Sequence, residues 1–256
     1  MKHDSKQVRV TITQLDGSGT NFAPASPPLP GEIHIWEFRS EMPVSRAEDI
    51  AALLSPDERE RAARFHFQRD SQRYTMTRAR TRAILGAYLQ SDPGKLKFKY
   101  SAREKPSLAD ESADIRFNVS HSGDHAMVAV AIGREIGIDI EQIRSDVEFE
   151  KLAERFFSPG ERKFMRNLAD DKKLRAFFRL WTCKEAFLKA HGTGLSRPLS
   201  SFDVSLEDCP GQLLRIKGDA GEENRWSLVE LESVSRYPAA AVVDGPLEAV
   251  RIYRLL

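Results

Sequence analysis

The sequence predicts a mixed α/β (α+β) fold built from two similar lobes, each a small sheet packed with helices. Three observations carry this. A helix-start signal, Ser55-Pro56-Asp57-Glu58-Arg59, returns 103 residues later as Ser158-Pro159-Gly160-Glu161-Arg162. At the same offset Ala83 aligns with Ala186 and Leu85 with Leu188, so the helix behind each cap matches as well. Each cap follows one strand-like stretch and precedes several short ones, so each half has the same order of elements. Two lobes related by a pseudo-twofold axis leave an active-site cleft between them, a common place for a ligand.

The elements follow in order. Residues 1–31 read as a flexible lead-in, because 16–31 (DGSGTNFAPASPPLPG) are rich in Gly, Ser and Pro. The N-terminal lobe spans 32–134 and opens with the alternation Ile33-His34-Ile35-Trp36-Glu37-Phe38, which predicts a strand. Serine at the N-cap, proline at the first helical position and early acids start a helix at Ser55 that runs to about Phe67. A second helix, over about 70–90, carries Tyr74, Ala83, Ile84, Leu85 and Tyr88, with Arg73, Arg78, Arg80 and Arg82 around it. Short strands are predicted at 96–100, 115–119 and 126–132. The C-terminal lobe, 135–256, repeats the scheme: a strand at 136–143, the cap at Ser158, a helix through 180–189, and strands at 202–206, 212–217, 226–232 and 239–243.

Composition narrows the function classes. The 256 residues are 41% hydrophobic and 30% charged, ordinary values for a soluble globular protein. Lys+Arg is 39 against Asp+Glu 38, so no global field calls for nucleic acid or an anionic membrane. Any anion site must be a local cluster. Cys183 and Cys209 make neither a disulfide framework nor a metal set, which fits a reducing cytosol. The start lacks a signal-peptide core and no apolar run could span a bilayer, so a cytoplasmic protein is expected.

Chemistry concentrates in four segments. In Gly137-Ile138-Asp139-Ile140-Glu141, side chains alternate faces, so Ile138 and Ile140 point to the core while Gly137, Asp139 and Glu141 share the other face. Two carboxylates that close repel unless a cation or base joins them, and Mg²⁺ favours such a set. Gly137 leaves room on that face for something bulky. Two solvated acids on an exposed strand face read equally well from this segment alone. In Trp181-Thr182-Cys183-Lys184-Glu185-Ala186-Phe187-Leu188-Lys189, Trp181, Glu185 and Lys189 share one helix side, where Glu185 could complete a metal site and Lys189 could meet a phosphate. An ordinary surface ion pair explains the same spacing. Arg103-Glu104-Lys105-Pro106 makes a basic turn, and Phe117-Asn118-Val119-Ser120-His121-Ser122-Gly123 runs into a turn rich in hydrogen-bond donors. With Arg61, Arg64, Arg69 and Arg73, these could grip a multiply phosphorylated ligand. No Gly-x-Ser-x-Gly elbow accompanies Ser120 and His121, which argues against a serine hydrolase.

Together these segments resemble the 4'-phosphopantetheinyl transferase superfamily, in its two-lobed, surfactin-synthetase-activator type. The resembling stretch runs from about Leu53 to Val243, and includes Phe117–Ser122, Gly137–Glu141, Phe156-Phe157-Ser158 and Trp181–Lys189. The resemblance implies transfer of the phosphopantetheine arm of coenzyme A to a serine of an apo acyl or peptidyl carrier protein, releasing 3',5'-ADP. It implies Mg²⁺ held by Asp139, Glu141 and Glu185. Glu185, or a metal-bound water, would help deprotonate the serine, and Lys189 would neutralise the departing nucleotide. Arg61, Arg73, Lys105, Ser120 and His121 fall where the family binds the phosphates and adenosine of coenzyme A. Lys184 and Glu161 would support the pyrophosphate end and the attacking hydroxyl. Glu58 stands where the type enzyme has a basic coenzyme A contact, so Arg59, Arg61 or Arg64 would have to substitute.

Family carriers are small acidic helical bundles. Phe164, Met165 and Leu168 are candidate docking positions, or else core. The single-chain length implies a monomer, because smaller relatives build the same cleft by trimerising. Two rival readings use the same acids: a metal-dependent phosphohydrolase and a non-catalytic module that binds coenzyme A or a carrier.

Overall fold

The structure, a computed structural model, describes residues 8–16, 26–41, 44–102, 104–110, 112, 114–192, 194–206, 213–214, 216–217, 225–231 and 233–255. Arg103, Cys209, part of the lead-in and part of the 212–217 strand candidate lie outside these residues. The first half comprises β1 (Arg9–Leu15), β2 (Glu32–Arg39), α1 (Ala47–Ala52), α2 (Pro56–Ala63), α3 (Gln68–Leu89), β3 (Phe98–Tyr100), β4 (Pro106–Leu108), β5 (Ile115–Ser122) and β6 (His125–Ile132). The second comprises β7 (Ile136–Ile140), α4 (Phe149–Phe156), α5 (Pro159–Arg166), α6 (Asp170–His191), β8 (Asp203–Val204), β9 (Leu213–Leu214), β10 (Ile216–Lys217), β11 (Trp226–Leu231), β12 (Ala239–Asp244) and β13 (Ala249–Leu255).

Two sheets form the body, in the orders β1-β13-β2-β6-β5 and β7-β12-β11-β9. The predicted duplication is visible in their pairing. In each half the opening strand (β2 or β7) pairs antiparallel with the closing one (β6 or β12), which pairs antiparallel with the strand before it (β5 or β11). The α2–α3 and α5–α6 helix pairs occupy equivalent places in the two halves, and α3 and α6 are each 22 residues long.

The chain ends depart from the expected boundaries. Strand β13 comes from the second half yet inserts into the first sheet, parallel to both β2 and β1. Residues 9–15 of the expected flexible lead-in are therefore an edge strand. The side chains of β1 are almost all exposed, so it carries no buried face to betray it in the sequence. Its partner lies more than two hundred residues away, beyond the reach of any local pattern.

Burial sorts the residues into layers. Alternate residues of β2 serve opposite faces: Ile33 and Ile35 join Ile136, Ile138, Ile140, Val229 and Ala241 between the two sheets, while Trp36 and Phe38 pack with Ala83, Ile84, Leu85 and Tyr88 of α3. The outer face of the second sheet packs on α6 through Ala186, Phe187 and Ala190. Strand β7 is thus covered on both faces, and all five of its residues are buried. Gly137 does not make room for a ligand, as the sequence suggested. A Cβ there would lie 2.1 Å from the Ala186 carbonyl oxygen and 2.3 Å from the Ala190 nitrogen, so the space is taken by the backbone of α6.

Beneath α3, Tyr88 Oη receives the Trp36 Nε1–H at 2.9 Å and lies 2.7 Å from His34 Nδ1. The hydrogen bonds fit a neutral His34 that accepts the Tyr88 proton at Nδ1. Burial lowers the His34 pKa from 6.5 to about 4, against the pull of Glu32. His34 is therefore protonated more readily in the unfolded chain. Its contribution to stability is complete above pH 6.5 and is lost as the pH falls from there to about 4, amounting to about 3 kcal/mol. Urea midpoints measured across this interval should fall steeply for the native protein and distinctly less for His34→Gln.

Candidate active site

The two sheets meet where β5, the edge of the first, runs beside β7, the edge of the second. No backbone ladder joins them. The N–H groups of Ile138, Ile140 and Gln142 instead reach Asn118 Oδ1 (2.9 Å), Ser120 Oγ (3.4 Å) and Ser122 Oγ (3.0 Å). This seam brings the expected carboxylates and their partners together. Ser120 Oγ donates to Asp139 Oδ1 at 2.8 Å and Ser122 Oγ to Glu141 Oε2 at 2.7 Å. From α6, Lys189 Nζ reaches the same Asp139 Oδ1 at 2.8 Å and Ser120 Oγ at 2.9 Å. Glu185 stands one turn earlier on that helix, half-buried.

The electrostatics record a crowded acidic site. Burial raises the Glu185 pKa, and Asp139 and Glu141 raise it further, against the pull of Lys189. Burial likewise raises that of Glu141, with Asp139 adding to it and the Ser122 hydrogen bond opposing it. Asp139 Oδ2 is buried without a partner among the described residues. A buried, unpaired carboxylate oxygen beside two mutually repelling carboxylates is a place for a cation. Among the described residues no three or more ligand side chains converge as a ready-made cage. None is needed by a hard divalent ion, which takes one or two carboxylates and completes its shell with water and phosphate oxygens. The donor set therefore fits Mg²⁺, with Asp139, Glu141 and Glu185 as the residues that would hold it.

A cleft of about 520 Å³ opens beside this cluster, lined by Lys105, Asn118, Glu135, Lys189, Gly192 and residues of β3 and β4. Lys189 belongs to both cleft and cluster, whereas the three carboxylates do not line the cleft. Lys105 Nζ donates to the Lys189 carbonyl at 2.7 Å and stands 3.4 Å from Glu135 Oε2, clasping the last turn of α6 to the first half. Burial lowers the Lys105 pKa, with Glu135 opposing. His121 lies near enough to Lys189 and Arg73 for both to add to the desolvation that lowers its pKa, while Asp139 raises it. Arg73 Nε is buried without a partner among the described residues. Arg61 sits farther out, ion-paired with exposed Glu104 at 2.8 Å and 5.8 Å from the Tyr74 ring centre.

Several expectations need correction. Ser120 is buried, and its hydroxyl is fully engaged: it donates once, to Asp139, and accepts from Lys189 and from the Ile140 N–H. It has no capacity left for a phosphate in this arrangement. Lys184 is fully buried and points away from the cleft, bonding Glu161 Oε1 and the Phe202 carbonyl, each at 2.6 Å. Glu161 also accepts from the Ser158 and Val204 N–H groups, so this pair locks α5 to α6. Glu58 is its counterpart in the first half. It accepts from the Ser55 N–H, pairs with Arg78 and with Arg82 (2.6 Å), and is 1% exposed. Burial pushes its pKa up, but the two arginines outweigh that and the net shift is downward. Glu58 is therefore neutralised within the fold and offers a ligand neither a free negative charge nor a basic contact. Of the docking candidates, Met165 is buried and Leu168 packs against the same core, while Phe164 is exposed.

Sequence reasoning grouped Asn118 and Ser122 with the hydrogen-bond donors of an anion site and missed their part in the seam. Their signal was a polar residue at every second position (116, 118, 120, 122) of the strand, with apolar residues at 115, 117 and 119 between them, which marks a polar face.

Fold and site together define a transferase-like arrangement: a duplicated α/β body with a carboxylate–lysine cluster at the seam, beside a cationic cleft. The family model described as the 4'-phosphopantetheinyl transferase superfamily matches residues 135–242, and one described as the 4'-phosphopantetheinyl transferase N-terminal region matches 43–133. The 4'-phosphopantetheinyl transferase HetI of Nostoc sp. is 42% identical over 85% of this chain and 90% of its own length. The Sfp enzyme of Bacillus subtilis is 33% identical over 67% of this chain and 76% of its own. The human L-aminoadipate-semialdehyde dehydrogenase-phosphopantetheinyl transferase is 32% identical over 79% and 71%. A solved holo-(acyl-carrier-protein) synthase from Bacillus anthracis, in complex with CoA (3',5'-ADP), covers 44% of this chain and 96% of its own at 25% identity and a TM-score of 0.37. The chain belongs to the 4'-phosphopantetheinyl transferase superfamily.

The burial of Lys184 has a testable consequence. Lys184→Met strands the Glu161 carboxylate and should lower stability by about 3–5 kcal/mol, and adding Glu161→Gln should recover part of the loss. Thermal melts check both. A Lys184 that contacted ligand would instead weaken coenzyme A binding at unchanged stability.

Proposed function

We propose that this protein transfers the 4'-phosphopantetheine arm of coenzyme A to a serine of an apo acyl or peptidyl carrier protein, releasing 3',5'-ADP in an Mg²⁺-dependent reaction. The observation that carries this reading is the convergence of Asp139 in β7 and Glu141 just beyond it with Glu185 and Lys189 from α6, beside a cleft whose lining includes Lys99, Lys105, Arg116 and Lys189. Family membership supplies the substrate classes, and the geometry suits the chemistry they need.

In the reaction the carrier serine oxygen forms a bond to the β-phosphorus of coenzyme A. The bond from that phosphorus to the bridging oxygen breaks, and its electron pair leaves with 3',5'-ADP. Mg²⁺, when held by Asp139, Glu141 and Glu185, supplies charge stabilisation to the pyrophosphate. Glu185 takes the serine proton. No described residue hydrogen-bonds it, so its carboxylate is open to the incoming hydroxyl. Lys189 faces the cleft and balances the charge that develops on the departing phosphate. Its ammonium already neutralises Asp139, so the lysine and the cation share one acidic set. Lys105, which lines the cleft, would hold the phosphates together with His121, Arg73 and Arg61, which do not line it. Both halves of one chain frame the cleft, which favours a monomer. No helix among the described residues is long and apolar enough to cross a membrane, and the reading is of a cytoplasmic enzyme with neither membrane nor nucleic-acid partner.

The direct test incubates the protein with coenzyme A, Mg²⁺ and an apo carrier, then weighs the carrier by mass spectrometry. A phosphopantetheine mass gain is expected. Release of phosphate without that gain would favour a hydrolase, and neither product would favour a binding module. In the same assay Asp139→Ala should abolish transfer while its thermal melt stays cooperative, and chelation of divalent cations should stop the native protein until Mg²⁺ is restored. Glu185→Gln should reduce kcat by about 10²–10⁴-fold with a smaller change in KM for coenzyme A.

A further inference from the structure

The seam between β5 and β7 contains the same three-group unit twice. In the first, the Ile140 N–H meets Ser120 Oγ, whose hydroxyl donates to Asp139. In the second, the Gln142 N–H meets Ser122 Oγ, whose hydroxyl donates to Glu141. Each serine thus serves two consecutive residues of one strand: the carboxylate of the first and the backbone N–H of the next. The register advances by two residues on both strands, so the repetition follows from the strand period.

The direction of these bonds is not free. A backbone N–H only donates, so each serine oxygen must accept it. A hydroxyl has one proton, and in each unit that proton goes to the carboxylate beside it. The backbone therefore sends each hydroxyl proton to the carboxylate, which engages one oxygen of each: Oδ1 of Asp139 and Oε2 of Glu141. The other oxygen of each is left over, and Asp139 Oδ2 is the buried one without a described partner. Glu141 depends on its serine most. It lies just past the last residue of β7, its N–H bonds the Pro238 carbonyl, and among the described residues the Ser122 hydroxyl is the hydrogen bond its carboxylate receives.

We propose that Ser120 and Ser122 are positioning residues, which orient Asp139 and Glu141 so that one oxygen of each is presented to a divalent cation. This rests on the reading that those carboxylates hold Mg²⁺. Ser122 is the cleaner probe, because Ser120 also meets Lys189.

The full-length protein is titrated with Mg²⁺ by calorimetry in the presence of coenzyme A and the absence of carrier, so that binding is read without turnover. Ser122→Ala is expected to weaken Mg²⁺ binding by about 10–100-fold, and Ser122→Thr, which keeps the hydroxyl, to restore it. The Mg²⁺ concentration for half-maximal transfer should shift in parallel, with KM for the carrier unchanged. If Ser122→Ala melts earlier but binds Mg²⁺ as the native protein does, Ser122 only seals the seam and the inference is overturned. That result leaves the proposed function standing. A native protein that modifies its carrier but binds no Mg²⁺ overturns both this inference and the metal reading. Should the alanine variant not fold, Ser122→Cys, similar in size but a weak donor, supports the same comparison.

Discussion

Strand β7 is an edge strand buried on both faces, and its outward N–H groups have no strand to pair with. A buried, unmet N–H costs about 1–3 kcal/mol, so three in a row could not be left open. The fold meets this constraint with side chains: Asn118, Ser120 and Ser122 stand in for a backbone ladder. Much else depends on that substitution. It closes the seam between two sheets that also share an apolar layer, and it uses one polar face of β5 to do so. It also sets the strand carrying Asp139 and Glu141 close beside the strand carrying His121. Tyr237 and Gln142 close the end of the seam over Gly123, where a Cβ would come within 2.7 Å of each. At φ +57° that turn also suits glycine.

The duplicated helix caps show how one architectural device left one site free for chemistry. In both halves the glutamate of the cap is buried and must be neutralised from the long helix behind it. The first half uses Arg78 and Arg82, and the second uses Lys184. At the 103-residue offset Arg82 corresponds to Glu185. The same helix position thus serves the core in one half and faces the acidic cluster in the other. Moving the neutralising cation by one residue, to 184, frees position 185.

The cluster itself is held in an unfavourable state. Three carboxylates and one lysine share a partly dry seam, where burial first, and the neighbouring carboxylates after it, raise the pKa values of Glu141 and Glu185 against the pull of the lysine. Such stored repulsion is what a cation or a protonated intermediate state would relieve, and functional sites commonly carry it.

Much of this was legible in the sequence for local reasons. The cap signals Ser55-Pro56 and Ser158-Pro159 are short-range chemistry, so both helix pairs could be read directly. The alternation in β2 and the apolar run in β6 reflect burial of their strand faces, and the clustering of Asp139, Glu141, Glu185 and Lys189 followed from strand and helix periods together with the family resemblance. What the sequence could not decide was long-range. The pairing of β1 with β13 joins residues at opposite ends of the chain, and β1 has no buried face to signal it. Whether Lys184 or Lys189 faced the cleft, whether Glu58 met ligand or arginine, and whether Gly137 made room or accepted a helix all turned on which element packs on which face. Periodicity tells which residues share a face. Only the packed tertiary structure determines what that face meets, because burial and pairing belong to neighbours distant in the chain.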